Sequence, residues 1–169
     1  HVLPGVGENL RDHYAPRTRW EIAAPGVTYN DKARGLGIAW QAMRYLATKK
    51  GMMGIPAAPM RAFIKTREGL DAPDGLLGWL PLLYDTNYKL SKTSGVICYA
   101  HAMRPESTGH VHIVSSNPRQ PPKIQYNFLS TQLDIDTTIN AVRTVRSIMT
   151  APIMKKLNVR ELKPGATET

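Results

Sequence analysis

The chain has 169 residues, 42% hydrophobic and 21% charged, a size and balance that bury one core and exclude a disordered or fibrous class. Lys and Arg number 22 against 13 Asp and Glu, a net charge of +9, but the cations are scattered: Arg17 and Arg19, Lys49 and Lys50, Arg143 and Arg146, Lys155 and Lys156. No arginine-rich run interleaves with aromatics, so nucleic acid is excluded as a partner. The lone Cys98 rules out an internal disulfide and reads as a small buried hydrophobe, and no apolar run reaches the length of a membrane span.

Taken in order, the chain opens on Gly5-Val6-Gly7-Glu8-Asn9-Leu10. This superficially matches a dinucleotide fingerprint, but Leu10 occupies the third glycine's place and no strand precedes it, so it cradles no phosphate. Asn9 and Asp12 satisfy backbone donors around a turn. Thr18–Ala24 is a short strand, ended by Pro25-Gly26. Asn30 or Asp31 caps a helix running to about Lys50, with Leu36, Trp40, Met43 and Ala47 on one face, Trp40 in the core and Gly51 as the stop. Residues 51–59 read as a loop. Met60–Thr66 and Leu76–Tyr84 follow as strands around a polar turn, and residues 85–93 form another loop.

Gly95–Met103 and the alternating run His110–Val114 read as two strands of one hairpin around Pro105–Gly109. A short strand follows within residues 121–130. The last helix is capped by Ser130 or Thr131 and carries an apolar stripe of Ile135, Ile139, Val142, Val145 and Met149. Asp134 and Asp136 lie early and Arg143 and Arg146 late, as the helix dipole favours, and Pro152 ends it. The sum is an α+β fold: one antiparallel sheet of about five or six strands with helices packed on one face. The other face stays bare, and bare apolar sheet is costly in water.

Self-contained chemistry is absent. His110 and His112 share a strand face, but no third ligand is patterned with them, so no metal is expected. Gly-x-Ser-x-Gly is missing, and Ser115-Ser116 reads as a turn pair.

Three segments carry a family resemblance. "MRPESTGHVHIVSSNPRQPPKIQYNFLS" (103–130) is similar to "RPESRGxVxLxSxDPxxxPxIxxNYLS"; Leu3–His13 to "LPGVGxNLxDH"; and Arg160–Gly165 to "xExxPG". These are motifs of the glucose–methanol–choline family of flavin oxidoreductases, and here they stand in family order near family spacing. The resemblance implies that residues 1–169 are a single substrate-binding domain cut from a longer protein. Residues 1–13 would then be a crossover from an FAD-binding domain outside the chain. It implies oxidation of the CH–OH group of an alcohol to a carbonyl, with hydride passing to FAD held mainly outside this chain. The family's pyrophosphate-binding GxGxxG and its histidine base ("HPxGTCRMG"-like) have no counterpart here, so no residue is assigned as catalytic.

The resemblance also implies that Asn9, Asp12 and His13 pass near the cofactor, and that Arg61, Phe63, Trp79, Tyr84, His101 and Met103 face the substrate. Two departures matter. Where choline-type members resemble "E-x-G-x-F", this chain has Pro59-Met60-Arg61-Ala62-Phe63: the carboxylate is missing and a cation sits nearby, so a quaternary ammonium substrate is badly served. Where many members have a histidine in "LxHFxP", Gly78 stands here, which suggests room beside Trp79 for an apolar or aromatic alcohol. Expected partners are a small-molecule alcohol, the FAD-binding domain and, for the isolated chain, a second copy through the apolar sheet face. The compartment is left open, with the cytoplasm favoured. The alternative reading is a stand-alone α+β interaction module without catalysis.

Overall fold

The computed structural model describes residues 3–165, which form two antiparallel sheets and three α-helices. The larger sheet holds β2 (Arg17–Ile22), β3 (Met60–Ile64), β4 (Gly75–Leu80), β5 (Gly95–Ala102) and β8 (Val159–Lys163), in the order β3-β4-β5-β2-β8. The smaller holds β1 (Glu8–Leu10), β6 (Gly109–His112) and β7 (Lys123–Gln125), in the order β1-β6-β7. The helices are α1 (Tyr29–Lys32), α2 (Gly37–Thr48) and α3 (Gln132–Met149). This is the α+β class that the sequence indicates.

Alternation decides which side of the large sheet is core. In β2, Thr18, Trp20 and Ile22 are buried while Arg17, Arg19 and Glu21 turn the other way. Trp20 and Ile22 meet Leu77, Val96, Cys98 and Ala100, and α3 closes the layer with Ala141, Val145 and Met149. Small side chains at Ala100 and Ala141 let the helix approach the central strands closely. The α3 end is tied to β8, because Arg146 donates to the Glu161 carboxylate at 3.1 Å and to the Gly165 carbonyl at 3.1 Å. Among the described residues no helix is long and apolar enough to cross a membrane.

Several sequence expectations need correction. Gly95–Met103 and His110–Val114 are not hairpin partners: β5 pairs with β2 and β4, and β6 pairs with β1 and β7. The connection is pulled away by Asp134, whose carboxylate accepts the backbone N–H groups of Glu106 at 2.9 Å and Ser107 at 2.8 Å. The helix expected from residue 30 to 50 is two, broken at Arg34–Leu36, where Gly35 takes φ 51°. Trp40 is not core but 60% exposed, because α2 packs on α1 and the 3-10 turn Met52–Gly54, and its one buried residue is Gln41. In α3 the buried stripe is Asp134, Thr137, Thr138, Ala141, Val145 and Met149, while Ile139 is exposed. Asp134 holds its place by binding the segment that crosses the helix's first turn, and the Thr137 hydroxyl accepts from Arg67 at 3.4 Å.

Candidate functional site

The face of the large sheet turned away from α3 is built from the other half of each strand. Cross-strand partners set its rows: Arg61, Gly78, Tyr99 and Arg17 form one, and Phe63, Leu76 and His101 the next. A third row holds Leu80, Ile97 and Arg19. The edge residues are open, with Phe63 58% exposed, while Ile97 is fully buried.

His101 is its focus. The side chain is only 9% exposed, its Nδ1 lies 3.0 Å from the Ala102 carbonyl, and its ring is parallel to Tyr99 within 4° at 6.4 Å. The irregular segment after β1 brings His13 onto it, with ring centroids 4.2 Å apart. The His13 Nε2 sits 3.2 Å from the Met103 carbonyl oxygen, and the Asp12 carboxylate accepts the His13 backbone N–H at 2.7 Å. Burial lowers the His101 pKa; the Ala102 carbonyl works against this, and electrostatic interaction with His13 and Arg61 adds to it. The imidazole is therefore neutral at pH 7, with a free nitrogen.

The expected site residues divide as follows. His13, Arg61, Phe63 and His101 share this face, and Met103 borders it through its carbonyl. Tyr84 stands at the β2 side: its hydroxyl accepts from Arg17 at 2.6 Å, its carbonyl accepts from Arg19 at 3.3 Å, and the Arg19 guanidinium lies 5.2 Å over its ring. Trp79 points to the opposite side, packed on the core beneath α3 and bordering an open groove of about 810 Å³. Asn9 lies in the small sheet with φ 59°. Asp12 reaches the site only through His13.

Tyr99 is not among the expected site residues, although its i, i+2 relation to His101 on one strand face is a signal in the sequence. It also corrects the expected vacancy at Gly78. A Cβ on that glycine would stand 2.1 Å from the Tyr99 Cζ and 2.4 Å from its hydroxyl oxygen, so the Tyr99 ring already fills the space. Elsewhere, His110 stacks on His112 at 4.5 Å and the His112 Nε2 meets the Glu8 carboxylate at 2.7 Å. Among the described residues no group of three or more His, Cys, Asp or Glu could hold a metal ion.

Comparison with known proteins places this geometry in context. Residues 105–169 match the family described as GMC oxidoreductase. An oxygen-dependent choline dehydrogenase of Vibrio vulnificus strain YJ016 is 33% identical over 165 residues, covering 96% of this chain and 29% of that protein. Among solved structures, an FAD-dependent oxidoreductase from Chaetomium thermophilum superposes with a TM-score of 0.79 at 20% identity, covering 99% of this chain and 35% of that one. Formate oxidase gives 0.79 at 20% identity, covering 95% and 33%. The fold is shared, and the chain spans about three-tenths of the length of the curated relatives it matches.

Proposed function

Because the chain belongs to the GMC oxidoreductase family, we propose that its bare sheet face is the substrate wall of a flavin-dependent enzyme that oxidises an alcohol CH–OH group to a carbonyl. The observation that carries this reading is the convergence of His13, from the irregular segment after β1, with His101 and Tyr99 on the face that α3 leaves open.

The residues present fit FAD in part. A flat floor of Tyr99, His101 and Leu76 suits one side of a flat ring. The turn at Gly7 does not suit a pyrophosphate: a Cβ there would lie 2.2 Å from the Val111 carbonyl oxygen, so the turn is packed against β6 and offers no open nest of N–H groups. The dinucleotide is thus held by protein outside this chain. When bound, the flavin supplies the hydride acceptor. The chain's own residues bind and orient. Neutral His101, with its Nδ1–H donated to the Ala102 carbonyl, presents an Nε2 that accepts one hydrogen bond, Phe63 and Leu76 keep water from the face, and Arg61 sets its charge. No side chain here is assigned as the base. The whole of residues 1–169 serves as one substrate-binding unit, with 1–13 as the crossover.

The test uses the full-length protein that contains this chain. It is expected to purify yellow, to bleach when an alcohol is added without oxygen, and to lose most of its kcat/KM on His101→Ala. A full-length protein that binds no flavin, or whose flavin no alcohol reduces, overturns the reading.

A further inference from the structure

We propose that the alcohol taken at this face carries a carboxylate, bound by the Arg61 guanidinium with the Tyr99 phenol as second donor; the inference rests on the face being the substrate wall. The charge on that face is one-sided. Four ion pairs occur among the described residues, Arg67–Asp74, His112–Glu8, Arg146–Glu161 and Arg160–Glu21, and none engages Arg61, Arg17 or Arg19. Arg17 and Arg19 turn to Tyr84 instead. Glu21, the acid that β2 sends to the same side, is held by Arg160 at 2.6 Å and 3.0 Å. Asp85 is folded into its own turn, accepting the N–H groups of Asn87 and Lys89. Arg61 is left exposed on β3 with its five donors open. Its charge is felt on this face as the smallest of the influences on the His101 pKa, burial being the largest, and the residue also borders the groove on the Trp79 side.

Tyr99 supplies the second donor. Its ring leans across β4, with the hydroxyl lying over Gly78. The Cα partner of Gly78 on the next strand is Arg61, so the phenol lies over the lane beside Arg61, although the Tyr99 and Arg61 backbones are two strand spacings, about 9.6 Å, apart. A guanidinium fork takes both oxygens of a carboxylate and a phenol O–H donates to one of them. A quaternary ammonium meets only repulsion in the same place. The glycine at 78 is what allows the phenol to stand there.

The experiment compares 4-(hydroxymethyl)benzoate with its neutral isostere 4-(hydroxymethyl)benzamide on the full-length, flavin-loaded enzyme. The wild type is expected to prefer the carboxylate in kcat/KM by about ten- to a hundredfold, the worth of a charge-assisted hydrogen-bonded pair. Arg61→Gln is expected to remove that preference, chiefly by raising KM for the carboxylate. Tyr99→Phe is expected to reduce it severalfold, and Arg61→Glu to invert it in favour of a cationic alcohol. Equal use of both alcohols by the wild type, or an unchanged ratio in Arg61→Gln, overturns the inference while leaving alcohol oxidation standing. Should neither alcohol react, calorimetric binding of 4-methylbenzoate decides: Arg61-dependent binding supports the anion site and its absence overturns it. Equal loss of both activities in Arg61→Gln means that the arginine pairs with an acidic side chain elsewhere in the protein, and also overturns it.

Discussion

At the scale of single residues, Gly78 and Tyr99 are one device. The glycine is required by a neighbour's ring and not by its own backbone angle, since the Tyr99 Cζ occupies the position of any Cβ. Gly78→Ala should therefore push the ring aside and cost about 1–3 kcal/mol, as overpacking does. In a Tyr99→Ala background the same substitution should cost little, and the coupling can be read from four urea melts. A full, additive cost in both backgrounds would show that the ring is not what excludes the methyl. From sequence, Gly78 reads as an empty place because the filling side chain comes from the neighbouring strand, and only the register identifies it.

At the scale of elements, Asp134 joins α3 to the segment between the two sheets. Its backbone N–H donates to the capping Thr131 hydroxyl at 3.3 Å, and its carboxylate accepts two backbone N–H groups from residues 106 and 107. Burial acts to raise its pKa, but the hydrogen bonds from Ser107, the Glu106 and Ser107 N–H groups and Thr131 outweigh it and hold the carboxyl below the usual range. A depressed folded-state pKa contributes stability above the unfolded value of about 3.9. That contribution disappears as pH falls through the lower folded value. Asp134→Asn should lower stability at pH 7 by about 1–3 kcal/mol and flatten the acid limb of a stability–pH curve; an acid limb of unchanged slope would remove this carboxyl from the account. The element types were legible wherever a period was unbroken: β2, β3, β5 and the length of α3 stand near where alternation and helical spacing place them. The partner of β5 was not. Two apolar runs with a proline–glycine turn between them satisfy every local rule for a hairpin. What overrides the rule is a carboxylate some 28 residues onward, which no local pattern encodes. The candidate site shows the same division: His13 and His101 are singled out in the sequence one by one, and no local pattern encodes their contact.

At the scale of the whole molecule, α2 carries an exposed apolar row, while on the bare sheet face Phe63 is exposed and Arg17, Arg19 and Arg61 interleave with half-buried Leu76, Leu80 and Tyr99. Leu36, Trp40, Met43 and Leu46 all stand in solvent, more than a monomer usually shows in one patch. The isolated 169-residue chain should accordingly self-associate at high concentration and bind ANS while folded. Trp40→Gln with Leu46→Lys should restore a monomer without moving the melting temperature; sedimentation showing a dye-silent monomer of the unaltered chain would refute this. The strand order has another consequence, one of timing. β2 lies between β5 and β8, so a strand from the beginning of the chain is completed by a strand about 140 residues later. On a ribosome adding roughly 5–20 residues per second, β2 emerges roughly seven to thirty seconds before its outer partner exists. During that interval its outer edge, with the Glu21 carboxylate awaiting Arg160, is an open ledge on a nascent protein, and the ladder can close only once β8 has left the exit tunnel.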